Sequence, residues 1–196
     1  MNCEMKPLSC DPARLAGLSE KLIVSHYENN YGGAIKRLNA ITEKLGEIDV
    51  GTAPVFVLNG LKREELIAAN SMILHEIYFD SLGASDPVSG ALETALVRDF
   101  GSVERWHAEF SAMGKALVGG SGWVLLSWSP RLGKLINQWA SDHAHTLADG
   151  EAILALDMYE HSYHIDFGAK AGAYVDAFMQ NVNWRKVKAR FEALIL

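Results

Sequence analysis

Four side chains in this sequence have types and spacings suited to holding a redox-active metal ion: His26, His75, Asp157 and His161. In Asp157-Met-Tyr-Glu-His161 an apolar run, Ala152 to Leu156, delivers a carboxylate at its end, and an imidazole follows four residues later. One hard oxygen and one nitrogen donor close together are what a transition metal asks of its ligands. The other two histidines sit in helical stripes. Residues three and four apart stack on one helix face, so Leu22, Ile23, His26, Tyr27 and Asn30 share a side, as do Met72, His75, Phe79 and Leu82. An imidazole on an apolar helix face is also the ordinary place for a hydrogen-bonded core histidine, and either one alone reads that way. Beside the DxxxH motif the ligand reading gains weight. Three neutral imidazoles and one carboxylate would leave a divalent ion with a single net positive charge and room for a solvent ligand, an open site suited to one-electron chemistry.

Positioning these groups requires helices first and a sheet later. Ser19 is a fitting N-cap for a first helix, and Leu61 to Leu82 keeps helical spacing up to a stop at Gly83. The turn formers of Gly83-Ala-Ser-Asp-Pro-Val-Ser-Gly90 mark a linker. Beyond it, Ser89 and Ser102 are placed to cap two short helices, the first ending at Phe100-Gly101 and the second carrying Trp106, Phe110, Met113 and Leu117 on one face. Trp123 to Trp128 and Lys134 to Ala140 are short apolar runs joined by hairpin chemistry at Ser129-Pro-Arg-Leu-Gly133, and Ala152 to Leu156 is a third run. Ala173 to Asn181 and Trp184 to Leu196 return to helical spacing. The expected fold class is α+β: an N-terminal α-helical hairpin domain over residues 1–85, then an α+β domain over 86–196 with a small, three-stranded antiparallel sheet, and a metal site between them.

Composition narrows the function. The chain has 196 residues, is 49% hydrophobic and 21% charged, and so can form a proper core. Its formal charge of -6 argues against nucleic acid as a partner, since that binding needs a basic surface. No apolar stretch has the length of a membrane span, and the start lacks the apolar region of a secretory signal, so the expected address is cytoplasmic, with no membrane partner. Cys3 and Cys10 resemble neither a disulfide framework nor a CxxC pair and read as free thiols.

DMYEHSY, Asp157 to Tyr163, closely resembles the DxWEHxY signature of iron/manganese superoxide dismutases, with Tyr159 in place of the tryptophan. Gly120-Ser-Gly-Trp123 matches that family's GSGW, Asn181 to Trp184 is similar to its closing NxxNW segment, and His26-Tyr27 and His75 fall where its helical ligands are expected. The resemblance spans residues 18 to 190 and extends to short variants associated with chromate resistance. It implies that His26, His75, Asp157 and His161 bind one iron or manganese ion per chain, with iron favoured, and that the reaction is disproportionation of superoxide to oxygen and hydrogen peroxide. It implies a homodimer, in which Glu160 reaches the ring nitrogen of the partner subunit's His161.

The surroundings depart from the family pattern. The glutamine that bonds metal-bound solvent would come from Ser71 or from His143, and neither is glutamine; Asp142-His143 resembles a variant in which histidine takes that place. The gateway tyrosine aligns with Ala34, its neighbouring histidine with Asn30, the anion-drawing arginine with Ala171, and the tyrosine that bonds across the dimer with His164. Asn30 and His164 are therefore expected to form a substitute pair across the interface, with Trp123 lining the pocket. Lys36, Arg37, Lys170 and Arg185 are the sources for a local positive field in a net-acidic chain. Three readings follow: an active superoxide dismutase, a metal-binding relative with weak or lost turnover in a metal or oxidative stress response, and a zinc metallohydrolase built on His143-Ala-His145 and Asp157.

Overall fold

The computed structural model describes residues 2–195. Ser19 opens the first helix as expected: its Oγ accepts the Leu22 N–H at 3.1 Å, satisfying one of the first-turn donors. Helix α1 (Glu20–Ser25) does not continue as a regular α-helix, which the stripe of apolar residues had implied. At His26 the ladder widens into a π-helical stretch, His26–Tyr31, before α2 (Gly32–Glu47) resumes, and the Gly32 N–H reaches back five residues to the Tyr27 carbonyl. Short π segments recur at functional sites, because they re-aim side chains without ending the helix. Leu22, Ile23 and His26 are all fully buried.

Helix α3 (Val55–Asp80) begins six residues before the expected Leu61, and packs against α2 around Leu38, Ile41 and Ala68. Its end is tied to the far end of the chain. The Gly83 N–H donates to the Asn181 carbonyl at 2.9 Å and the Asn183 N–H to the Ser81 carbonyl at 2.7 Å. The Asn181 side chain in turn accepts from the Ala16 N–H and donates to the Ala16 carbonyl. The NxxNW-like segment is therefore a clasp between the two ends of the fold.

Helices α4 (Gly90–Phe100) and α5 (Val103–Ala116) follow the linker. Gly101, at φ +91°, ends α4 in a conformation that side chains resist. Ser102 caps α5 through the Arg105 N–H; Ser89 stands at the N-cap position of α4, but its side chain makes no cap bond. Strands β1 (Trp123–Ser129), β2 (Lys134–Ala140) and β3 (Glu151–Asp157) form one antiparallel sheet in the order β2-β1-β3. Helices α6 (His164–Phe167), α7 (Ala171–Gln180) and α8 (Trp184–Ile195) complete the chain; Leu196, expected at the end of the last helix, lies outside the described residues. The expected α+β class, with its helical start and three-stranded sheet, is what the structure has.

Register is what the site takes from the sheet. Trp123, the first residue of the central strand, pairs with Ala140 on one side and Asp157 on the other, which are the last residues of β2 and β3. Antiparallel pairing thus brings three chain positions to one end of the sheet: Trp123, the loop carrying His143, and Asp157 with the turn to His161.

Candidate metal centre

His26 arrives from the start of the π-helical stretch, His75 from α3, Asp157 from the end of β3, and His161 from the 3-10 turn Glu160–Ser162. One donor atom from each lies within 4.8 Å of the others. The Nε2 atoms of His26, His161 and His75 stand 3.1, 3.1 and 3.5 Å from Asp157 Oδ2. Backbone bonds hold these groups in place. The Tyr159 N–H donates to Asp157 Oδ1 at 2.8 Å, and Ser162 Oγ donates to the Asp157 carbonyl at 2.9 Å. His75 Nδ1 lies 2.6 Å from the Ser71 carbonyl. A carbonyl only accepts, so Nδ1 carries the proton and Nε2 presents its lone pair toward Asp157.

The electrostatics define the occupant. Burial, opposed in part by Asp157, lowers His26, and burial together with the neighbouring His26 pushes His75 down to about 3. Burial alone would raise Asp157, but the His161 and His26 rings beside it hold its carboxyl well below the usual range. The result is an ionised, fully buried carboxylate beside two buried imidazoles, His26 and His75, held neutral. His26 Nδ1 and Nε2 and His75 Nε2 have no hydrogen-bond partner among the described residues. Buried polar atoms are rarely left so. A cation bound by three nitrogens and one oxygen removes that deficit, so these residues fit a transition metal.

These shifts set the acid response of the metal-free protein. His75 has a folded value of about 3 against 6.5 ordinarily, so between those limits the unfolded chain binds the proton more readily. Stability is therefore complete above about 6.5 and falls as the pH drops toward 3, and His26 and Asp157 act in the same direction. Urea midpoints of metal-free protein at pH 7, 5 and 4 are expected to decline in that order; a flat series would contradict neutral ring nitrogens in the cluster.

Aromatic rings close the centre. Tyr78 and Phe79 lie 5.0 and 4.9 Å from His26, and Trp123 lies 5.2 Å from His75, between ring centroids. Tyr159, which the sequence reading treats only as a departure from the signature, is stacked between two histidines, 5.4 Å from His161 and 4.9 Å from His143. Its position inside the signature was the available signal. Trp184 lies elsewhere, packed on Trp106.

His143 is half-buried and reaches the centre's edge. Trp123 Nε1–H donates to its Nδ1 at 2.9 Å, and the Asn70 side chain donates to its carbonyl at 2.6 Å. Because Nδ1 accepts, the neutral ring carries its proton on Nε2. A cavity of about 240 Å³ opens beside it, lined by Asn30, Ala34, Arg37, Ala68, Ser71 and His143 among others. The residues aligned with the missing glutamine, histidine and tyrosine therefore face one space, whereas Ala171 is buried at the start of α7. Glu160, on the 3-10 turn within the signature, and His164, directly after it, are exposed. His145 is also exposed and bonds Ser141 Oγ at 2.6 Å, so the HxH motif does not converge on Asp157.

Residues 88–190 match the C-terminal domain of iron/manganese superoxide dismutases. An iron superoxide dismutase of Cupriavidus metallidurans is 74% identical over 192 residues, covering 98% of each chain. A manganese superoxide dismutase of Halobacterium salinarum is 34% identical, over 96% of this chain and 94% of its own, and an iron superoxide dismutase of Aquifex aeolicus is 31% identical over 92% and 87%. With a buried three-histidine, one-carboxylate cluster at the junction of its helices and sheet, the chain belongs to the iron/manganese superoxide dismutase family.

Proposed function

We infer that this protein is a superoxide dismutase using iron, the metal of its 74% identical relative, with manganese the alternative within the family. The observation that carries the reading is the buried Asp157 carboxylate gathered with three histidines, of which the nitrogens His26 Nδ1, His26 Nε2 and His75 Nε2 have no hydrogen-bond partner among the described residues. His26, His75, Asp157 and His161 are the residues that would hold the ion. When bound, it supplies reversible one-electron chemistry, by which one superoxide leaves as dioxygen and another, with two protons, becomes hydrogen peroxide. The chain's own share is positional and protonic. Asp157 and the Ser71 carbonyl orient the donors, Tyr78, Phe79 and Trp123 exclude water around them, and His143, with its proton on Nε2, serves the solvent position and can hand on a proton.

The same reading makes Asn30 a lining residue of the approach. It makes the functional unit a cytoplasmic homodimer in which Glu160 meets the partner subunit's His161 and His164 pairs with the partner subunit's Asn30. We read residues 1–85 and 86–196 as two domains that meet at the metal, because two donors come from each. Among the described residues no helix is long and apolar enough to cross a membrane.

Metal analysis with a superoxide-consumption assay tests the function: iron near one per chain with rapid turnover supports it, and metal without turnover favours a binding protein instead. A Trp123→Phe variant tests His143. Losing the Nε1–H leaves Nδ1 of His143 without its donor, and such supporting bonds are worth about 10- to 100-fold in activity. Turnover is expected to fall by about tenfold at unchanged metal content. Turnover equal to wild type would remove His143 from the mechanism.

A further inference from the structure

A chain of formal charge -6 repels superoxide at long range, so a fast encounter needs a cation placed where the anion enters. The four basic residues available for that role are not equivalent. Lys36 is exposed on α2, Lys170 is exposed before α7, and Arg185 lines a separate hollow with Cys10 and Gly83. Arg37 alone among them borders the cavity that His143 lines, and it is the one side chain with a fixed charge among the described residues lining it. Ala34 and Asn30, on the same helical stretch, keep the lining small and uncharged, and Ser71 faces it from α3. A guanidinium at the rim of a low-dielectric, otherwise neutral cavity focuses its field inward. Glu64 on α3 holds that guanidinium from the outer side, with Arg63 also on the Glu64 carboxylate at 3.2 Å, so part of the field is offset at rest.

Resting on the dismutase reading, we propose that Arg37 is the residue that draws superoxide into this cavity, standing in for an arginine that the sequence lacks, and that Glu64 moderates it. Arg37 is a positioning residue: it speeds arrival and takes no part at the reacting atoms. Its side chain is 56% exposed and Glu64's 31%, so exchanging either one leaves the fold intact.

The test uses metal-loaded holoprotein and three variants, Arg37→Gln, Arg37→Lys and Glu64→Gln, each matched to wild type for metal content. Two rates are measured from low to high ionic strength: the second-order rate with superoxide, and the association rate of azide as a non-reacting anion. Arg37→Gln is expected to lower both by about three- to tenfold at low salt, and the difference should vanish near 1 M, where screening shrinks to about 3 Å. Arg37→Lys should stay within about twofold of wild type and Glu64→Gln should rise above it, as charge alone dictates. Equal rates for Arg37→Gln and wild type at low salt would overturn the proposal. So would a loss in Arg37→Lys as large as in Arg37→Gln, or a loss that salt does not erase. Azide entry does not depend on turnover, so a metal-loaded wild type that fails to consume superoxide would sink the dismutase reading while the azide series still judged Arg37.

Discussion

Asp157→Asn is expected to abolish both metal retention and superoxide turnover while leaving the fold intact. The amide keeps the shape of the carboxylate and an oxygen that can accept the Tyr159 N–H, now made at 2.8 Å, so the turn to His161 should persist. What disappears is the buried negative charge toward which three Nε2 atoms point. Groups one step behind a metal's ligands are worth about 10- to 100-fold in affinity, so loss of the charged ligand itself should exceed about 100-fold. The metal-free protein reports the substitution as well. The rings beside it hold the Asp157 carboxyl below its usual range, so its charge stabilises the fold at neutral pH and the amide loses that contribution. Metal-free Asp157→Asn should therefore melt below metal-free wild type, and metal-loaded wild type should melt above both, because an ion that binds only the folded state stabilises it. Thermal scans with and without metal would show this order; an Asp157→Asn protein that kept its iron would refute the ligand assignment.

Gly122→Ala is expected to be the most destabilising single-methyl change near the site. Gly122 has φ +135°, a region hostile to side chains, and an added Cβ would stand 2.1 Å from the Ala140 carbonyl oxygen. That neighbour is backbone at the end of β2 and cannot swing aside. The Gly122 carbonyl also accepts the Met158 N–H at 2.9 Å, so the residue joins the start of β1 to the loop between Asp157 and His161. Backbone strain of about 1–3 kcal/mol and a forced shift of β2 together should cost about 4 kcal/mol, or about 8 to 16 °C in a chain of this size. Because the His143 loop follows Ala140 directly, protein that does fold should lose activity as well. Calorimetry and metal content on the same sample check both halves, and a melting temperature equal to wild type would show that the strand end yields.

The glycine also shows how the sequence could be read. Gly120-Ser-Gly-Trp123 carried family resemblance without a reason for the glycines, and the reason, a close approach by the neighbouring strand, exists only once β1 and β2 are paired. The DxxxH motif was legible because both donors lie on one short segment whose geometry is local. His26 and His75 were legible as inward-facing, but their meeting depends on the π-helical stretch and α3 packing at one end of the sheet, which periodicity does not encode. Tyr159 was missed for the same reason: its two histidine neighbours come from the turn and from the β2–β3 connection. The four basic residues could be named from sequence, but choosing Arg37 among them required the cavity.

The π-helical stretch has a consequence for how this protein can vary. An α-helix turns its side chains by about 100° per residue, so in a single regular helix His26, Asn30, Ala34 and Arg37 would be locked to one phase. A ladder interrupted by a run of five-residue steps breaks that lock, because residues on either side of it keep separate angular settings. His26 belongs to the setting at the start of that run and Ala34 and Arg37 to the setting after it. The ligand and the mouth of the approach are thus two independently phased parts of one continuous rod, and changes that retune entry through α2 need not disturb the nitrogen that His26 delivers.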